Sequence, residues 1–163
     1  MNTTPLSPPT LAARLIALAR LPIGWVEHLQ PLAQLAARLY IAGVFFRSGR
    51  TKIADWDTTL ALFENEYHVP LLPPDIAAWM GTGGELGLSV LLALGLAGRF
   101  SAAGLSVLNV VAVLSLAEIN EAALLGHQFW GSLLLALLLW GPGKLSLDNL
   151  VLRWLGLPPR HRT

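Results

Sequence analysis

The sequence predicts an all-α integral membrane protein: a four-helix bundle flanked by an N-terminal and a C-terminal interfacial amphipathic helix. Three observations carry that class. Of 163 residues, 54% are apolar and only 13% are charged, about half the charge that coats a soluble domain. The mean hydropathy is +0.57. The apolar residues also gather into runs approaching the roughly 20 residues that cross a bilayer core as a helix.

The elements follow in order. Residues 1–30 read as an N-terminal cytoplasmic arm, in which residues 11–21 set Arg14 and Arg20 in a Leu/Ile/Ala stretch suited to the headgroup region. With no Lys or Arg before Arg14 and no clean small-residue cleavage site, the arm is expected to be retained and not removed as a signal peptide. The membrane domain is expected over residues 31–155. Its first span covers residues 31–46, and Arg38 interrupts it. A long connection follows, with a short helix expected over residues 58–67, and Pro70, Pro73 and Pro74 keep the chain non-helical before the next span. The second span, 76–96, contains Glu85; the third, 100–116, contains Asn109 and extends toward Asn120; the fourth, 122–140, contains His127. Gly141-Pro142-Gly143 stops the fourth span. Residues 145–155 then form the second interfacial helix, with Ser146 as its N-cap and Leu147, Leu150, Val151 and Trp154 at helical spacing. Residues 156–163 are a cytoplasmic tail.

Charge sets the expected orientation. Arg14, Arg20, Arg99, Lys144, Arg153, Arg160 and Arg162 fall on one side, so the positive-inside rule places both termini in the cytoplasm. Asp55, Asp57, Glu64, Glu66, Asp75, Glu118 and Glu121 fall on the other side, where they offer a face for a cation or a basic partner. A net charge of +1 is too small for an electrostatic nucleic-acid binder. The absence of cysteine excludes disulfides, thiolate metal sites and a dithiol relay within this chain.

Ionisable groups in hydrocarbon are costly, so they are candidates for function. Arg38 and Glu85 are both placed near mid-membrane, where an Arg38–Glu85 pair is the simplest way to satisfy them. That pair has two readings: a structural ion pair, or part of a substrate or proton site. Arg38, Phe45 and Lys52 recur every seven residues on one face. Thr82, Glu85 and Ser89 form a polar stripe, with Gly83 and Gly87 spaced for close helix packing. Asn109, sharing a face with Ser106, needs a partner; a helix-to-helix hydrogen bond is favoured over ligand contact. The intramembrane candidate set is therefore Arg38, Lys52, Glu85 and Asn109. On the outer side, His127 with His68, Glu118 or Glu121 is a candidate histidine–carboxylate metal or proton site, although the spacing matches no metal signature and a solvated histidine is the plainer reading. No phosphate loop, helical zinc motif or nucleophile elbow is present.

Three stretches together resemble the DoxX family of small four-helix bacterial inner-membrane proteins. They are Arg38-Leu39-Tyr40 leading to Phe45-Phe46-Arg47-Ser48-Gly49-Arg50-Thr51-Lys52; Glu85-Leu86-Gly87 with Gly95-Leu96-Ala97-Gly98-Arg99; and Gly141-Pro142-Gly143-Lys144-Leu145-Ser146-Leu147-Asp148. The resemblance covers about residues 32–152. By position, Arg38, Lys52, Glu85 and Asp148 match the family's recurring polar residues. The insert between Trp56 and Pro74 and the stretch from His127 to Trp130 are similar to a subgroup encoded beside small metal-stress peptides and their modifying enzymes. The family link implies membrane complexes for oxidative and thiol stress, or thiosulfate:quinone oxidoreductase.

Two readings of function result. In the first, the chain is an accessory or anchoring subunit, working in the lipid bilayer with protein partners or as a homo-oligomer, in stress, metal or thiol/sulfur handling. In the second, it is a quinone-linked oxidoreductase subunit in which Arg38, Glu85 and Asn109 line a pocket for the quinone head. A small exporter is least favoured, since so few polar residues line four spans.

Overall fold

A computed structural model describes residues 10–157, without the side chains of residues 12–25. It contains six helices: α1 (Leu11–Ala54), α2 (Trp56–Asn65), α3 (Pro74–Leu94), α4 (Gly98–Leu114), α5 (Glu121–Trp140) and α6 (Leu147–Trp154). Residues 26–54 of α1, together with α3 and α5, are long and apolar enough to cross a membrane, and α4 is a shorter apolar helix. The expected tail at residues 156–163 lies almost wholly outside the described residues, as do the side chains of Arg14 and Arg20.

Helix α1 differs from expectation at both ends. The chain between residues 11 and 54 is one helix of 44 residues, about 66 Å at 1.5 Å per residue, so the expected interfacial helix is not a separate element. Pro22 and Pro31 each remove one ladder donor, but the Leu- and Ala-rich sequence around them has high helix propensity. At the other end the helix does not stop at Phe46; it continues through Arg47, Arg50 and Lys52.

Helices α1, α3, α4 and α5 pack in a ring, each against two of the others. Ile41, Phe45, Leu92, Ala102, Leu105, Leu134 and Leu137 fill the centre. Much of the outer apolar surface is uncovered: Trp79, Phe100, Val107, Leu125 and Leu139 are all exposed. In water this surface would be a liability; in a bilayer its neighbours are lipid tails.

Because α1 ends at Ala54, it cannot cover the first half of α3. Helix α2 takes over there, packing Phe63 on Ala77 and Ala78 and setting Trp56 against Trp79, with ring centroids 4.2 Å apart. Asp55 starts α2 by accepting hydrogen bonds from the Thr58 hydroxyl at 2.7 Å and the Thr58 amide at 3.1 Å. Those bonds, the hydroxyl first, hold the Asp55 carboxyl below its usual range. The loop after α2 is tied across the bundle by His68 N–H donating to the Ser115 carbonyl at 2.8 Å.

The turn from α3 to α4 is closely packed. Gly95 (φ 67°) ends α3, its N–H bonding the Leu92 carbonyl while Leu96 N–H bonds that of Leu91, the double closure of a Schellman motif. A Cβ at Gly95 would run into the Arg38 guanidinium and Ser146, and one at Gly98 would lie 2.6 Å from Pro142 Cβ. By contrast, a Cβ at Gly87 meets nothing within 4 Å. Gly95→Ala is therefore expected to lower the detergent melting temperature by several degrees, through positive-φ strain and steric conflict, and Gly87→Ala to leave it nearly unchanged. Equal melting shifts for the two variants would contradict this packing.

Candidate intramembrane polar site

Three side-chain ties join elements at three levels of the bundle. The first lies where α3 ends and α4 begins. Arg38, only 2% exposed, donates from Nη1 to the Pro142 carbonyl and from Nη2 to the carbonyls of Leu145 at 2.8 Å and Ala93 at 3.3 Å. Ala93 is in the last turn of α3, where carbonyls lack helical partners and carry the negative end of the dipole. A guanidinium, with five donors in a fixed fork, suits several such acceptors at once. Its Nε has no hydrogen-bond partner among the described residues.

Asp148 completes this end. Its two carboxylate oxygens accept from the amides of Ala97 at 2.9 Å and Gly98 at 3.0 Å, which begin α4, and its own N–H donates to the Gly95 carbonyl at 3.0 Å. Ser146 caps α6 as expected, accepting from Asn149 N–H at 3.2 Å, and donates its hydroxyl to the Gly143 carbonyl at 2.7 Å. Arg38 thus gathers carbonyls and Asp148 gathers amides at the same end of the bundle.

The second tie is Lys52 with Glu85. Lys52 Nζ lies 2.8 Å from both Glu85 oxygens and donates to Ser48 Oγ at 2.8 Å, while the Ser48 hydroxyl donates to Glu85 at 3.2 Å. The side chains are 21% and 14% exposed. Glu85 lies near the middle of α3, so this pair, and not Arg38–Glu85, is the ion pair at mid-helix depth. The expected Arg38–Glu85 contact is corrected by register. In the antiparallel packing of α1 on α3, Arg38 lies level with the end of α3, and Gly49 and Lys52 lie level with Glu85. Thr82, one turn from Glu85, is 2% exposed, and its hydroxyl has no partner among the described residues. Near this tie, Tyr67 has its phenol pushed above its ordinary value by burial first, then by the charges of Glu66 and Glu85.

The third tie joins α4 to α5. Asn109 Nδ2 donates to the His127 carbonyl at 3.0 Å, and Asn109 Oδ1 lies 2.9 Å from His127 Nδ1. With the amide nitrogen committed to a carbonyl, Oδ1 is the acceptor and Nδ1 the protonated ring nitrogen. The ring stands edge-on to Trp130, with centroids 5.0 Å apart. The helix-to-helix bond expected of Asn109 is present. The outer-side set is not assembled: His68, Glu118 and Glu121 are exposed, and no group of three or more His, Cys, Asp or Glu suited to a metal occurs among the described residues. Asp148 was expected only by resemblance, and its role as an amide acceptor was missed. The nearby signal was the Gly-Pro-Gly loop, a segment where main chain approaches closely.

Three long apolar helices, with charged groups closed upon one another inside the bundle, define a multi-pass membrane protein. The DoxX family model matches residues 33–118, more than half of the chain, and the chain belongs to that family. The match includes Arg38, Lys52, Glu85 and Asn109 but ends before Asp148 and the 141–148 stretch that Arg38 holds. Searches of curated proteins and of solved structures each returned no match.

A double-mutant cycle checks the pairing. Lys52→Gln and Glu85→Gln are expected to couple by about 1–2 kcal/mol in unfolding free energy, and Arg38→Gln and Glu85→Gln by less than about 0.5 kcal/mol. Strong coupling in the second cycle would restore the Arg38–Glu85 pair.

Proposed function

We infer that the chain is an accessory or anchoring subunit of a bacterial inner-membrane complex in stress, metal or thiol/sulfur handling. In this reading α4 is the fourth crossing, both termini are cytoplasmic, and residues 31–155 work as one membrane unit. The observation that carries it is that the polar groups best suited to chemistry are occupied in holding helices together. Glu85 is bound by Lys52 and Ser48, His127 by Asn109, and Arg38 by main-chain carbonyls. The exposed acids Asp57, Glu64, Glu66, Glu118 and Glu121 would face the outer side and offer partners an acidic surface. Arg99, Lys144 and Arg153 at the other end support the cytoplasmic placement.

The quinone-linked reading keeps one observation in its favour. Lys52 and Glu85 are not fully enclosed, so a carbonyl head could meet a cation and a carboxylate there.

A charge swap separates the two. In cells lacking the protein, Lys52→Glu combined with Glu85→Lys is expected to restore membrane abundance and survival under thiol, oxidative or metal challenge, where each single change fails. A swapped protein that is abundant but inactive, with quinone reduction by the purified wild-type chain, would establish the catalytic reading instead.

A further inference from the structure

Helix α6 is held at its start by Asp148 and Ser146, yet most of its surface is uncovered. Leu150 is 62% and Trp154 83% exposed, and Leu147 and Val151 are exposed as well. Grooves run along both of its sides. One, of about 470 Å³, lies against the α3–α4 turn and is walled by Leu96, Arg99, Phe100, Val151 and Leu152. The other, of about 460 Å³, lies against the end of α3 and is walled by Leu94, Leu145, Leu147 and Leu150, with Lys144 and Arg153 at its edge.

Three features define what fits the second groove. Its lining is mainly apolar, with Ser146 and Asn149 besides the two cations, and continues into Leu94, at the end of an α3 flank that includes exposed Val90. Its two charges are both cations, exposed, and without a side-chain hydrogen bond or ion pair among the described residues. The one carboxylate of α6, Asp148, lines the other groove and is already bonded to the α4 amides. The depth is that of the membrane interface, since Trp140 at the end of α5 and Trp154 on α6 are both exposed at this end, as in an aromatic belt. An occupant must therefore join an anion to apolar chains at headgroup depth. A nucleic acid would leave Leu94, Leu147 and Leu150 uncovered, and at headgroup depth a phospholipid supplies both the anion and the chains.

We propose that the groove between α6 and the end of α3 binds an anionic phospholipid, its phosphate between Lys144 and Arg153 and its acyl chains along Leu94, Leu147 and Leu150. The proposal rests on the membrane placement of the family and not on the accessory role, so it stands or falls separately from that reading. Bound lipid would dock α6 to the bilayer and reinforce the end of the bundle that Arg38 and Asp148 close.

The test is native mass spectrometry of the full chain in detergent, offered equal amounts of phosphatidylglycerol and phosphatidylcholine with the same acyl chains. Phosphatidylglycerol adducts are expected to dominate by about 25-fold, each of the two basic residues near an anionic lipid being worth about fivefold. Lys144→Gln with Arg153→Gln should bring the ratio close to one, and each single change should lower it part of the way. Arg47→Gln with Arg50→Gln, exposed cations toward the far end of α1, should leave it unchanged. Equal retention of the two lipids by the wild type, or a preference that survives the Lys144/Arg153 double change or disappears with the Arg47/Arg50 change, overturns the proposal. So does full displacement of the lipid by millimolar inorganic phosphate, which would make the site one for free anions.

Discussion

A helix that ends inside or beside a bilayer leaves carbonyls at its C-terminus and amides at its N-terminus that lipid cannot satisfy, and the rest of this fold depends on how that is solved at one end. Arg38 supplies donors to the end of α3 and to the loop after α5; Asp148 supplies acceptors to the start of α4. Neither residue needs the other as a direct partner, because each is matched to main chain of the opposite polarity. The Gly95, Gly98 and Gly143 positions follow from this closure. The first would collide with Arg38 and the last with Gln34 if either carried a Cβ, while Gly98 sits against Pro142.

With Arg38 occupied at the helix ends, Glu85 would be a partly buried carboxylate with no countercharge if Lys52 were absent. This accounts for the unexpected length of α1. A lysine carried two turns beyond Phe46 reaches the middle of α3, and Ser48 bridges the same carboxylate. Helix α2 then begins where α1 stops and covers the half of α3 left bare. Lys52, Glu85, Asn109 and His127 thus link neighbouring helices, while α6 keeps most of its surface uncovered.

Much of the fold was legible in apolar run length and in Gly/Pro punctuation: α3, α4 and α5 fall within two residues of their expected starts, and Ser146 caps α6 as its residue type implies. Legibility failed at Arg38 and Asp148, whose side chains bond main chain far away in sequence. Carbonyls of Ala93, Pro142 and Leu145 carry no signature in residue type, so Arg38 was matched to the nearest acidic residue in a neighbouring span. The length of α1 was misread for a related reason: three basic residues look like a loop until one of them has a partly buried carboxylate to meet. Asn109 was assigned correctly because an amide in an apolar helix has few choices but a neighbouring helix. The outer-side histidines and carboxylates share a side of the membrane in sequence terms, but sharing a side does not bring side chains within ligand distance.

The central claim is that Arg38 closes the end of the bundle through main-chain carbonyls, and amide hydrogen exchange in lipid nanodiscs tests it most directly. With Arg38→Gln, the amides of residues 95–98 and 143–149 should exchange at least tenfold faster, while those at the centres of α3 and α5 stay protected. Unchanged exchange at the Ala97, Gly98 and Asp148 amides, in a variant shown to be folded, would contradict the account.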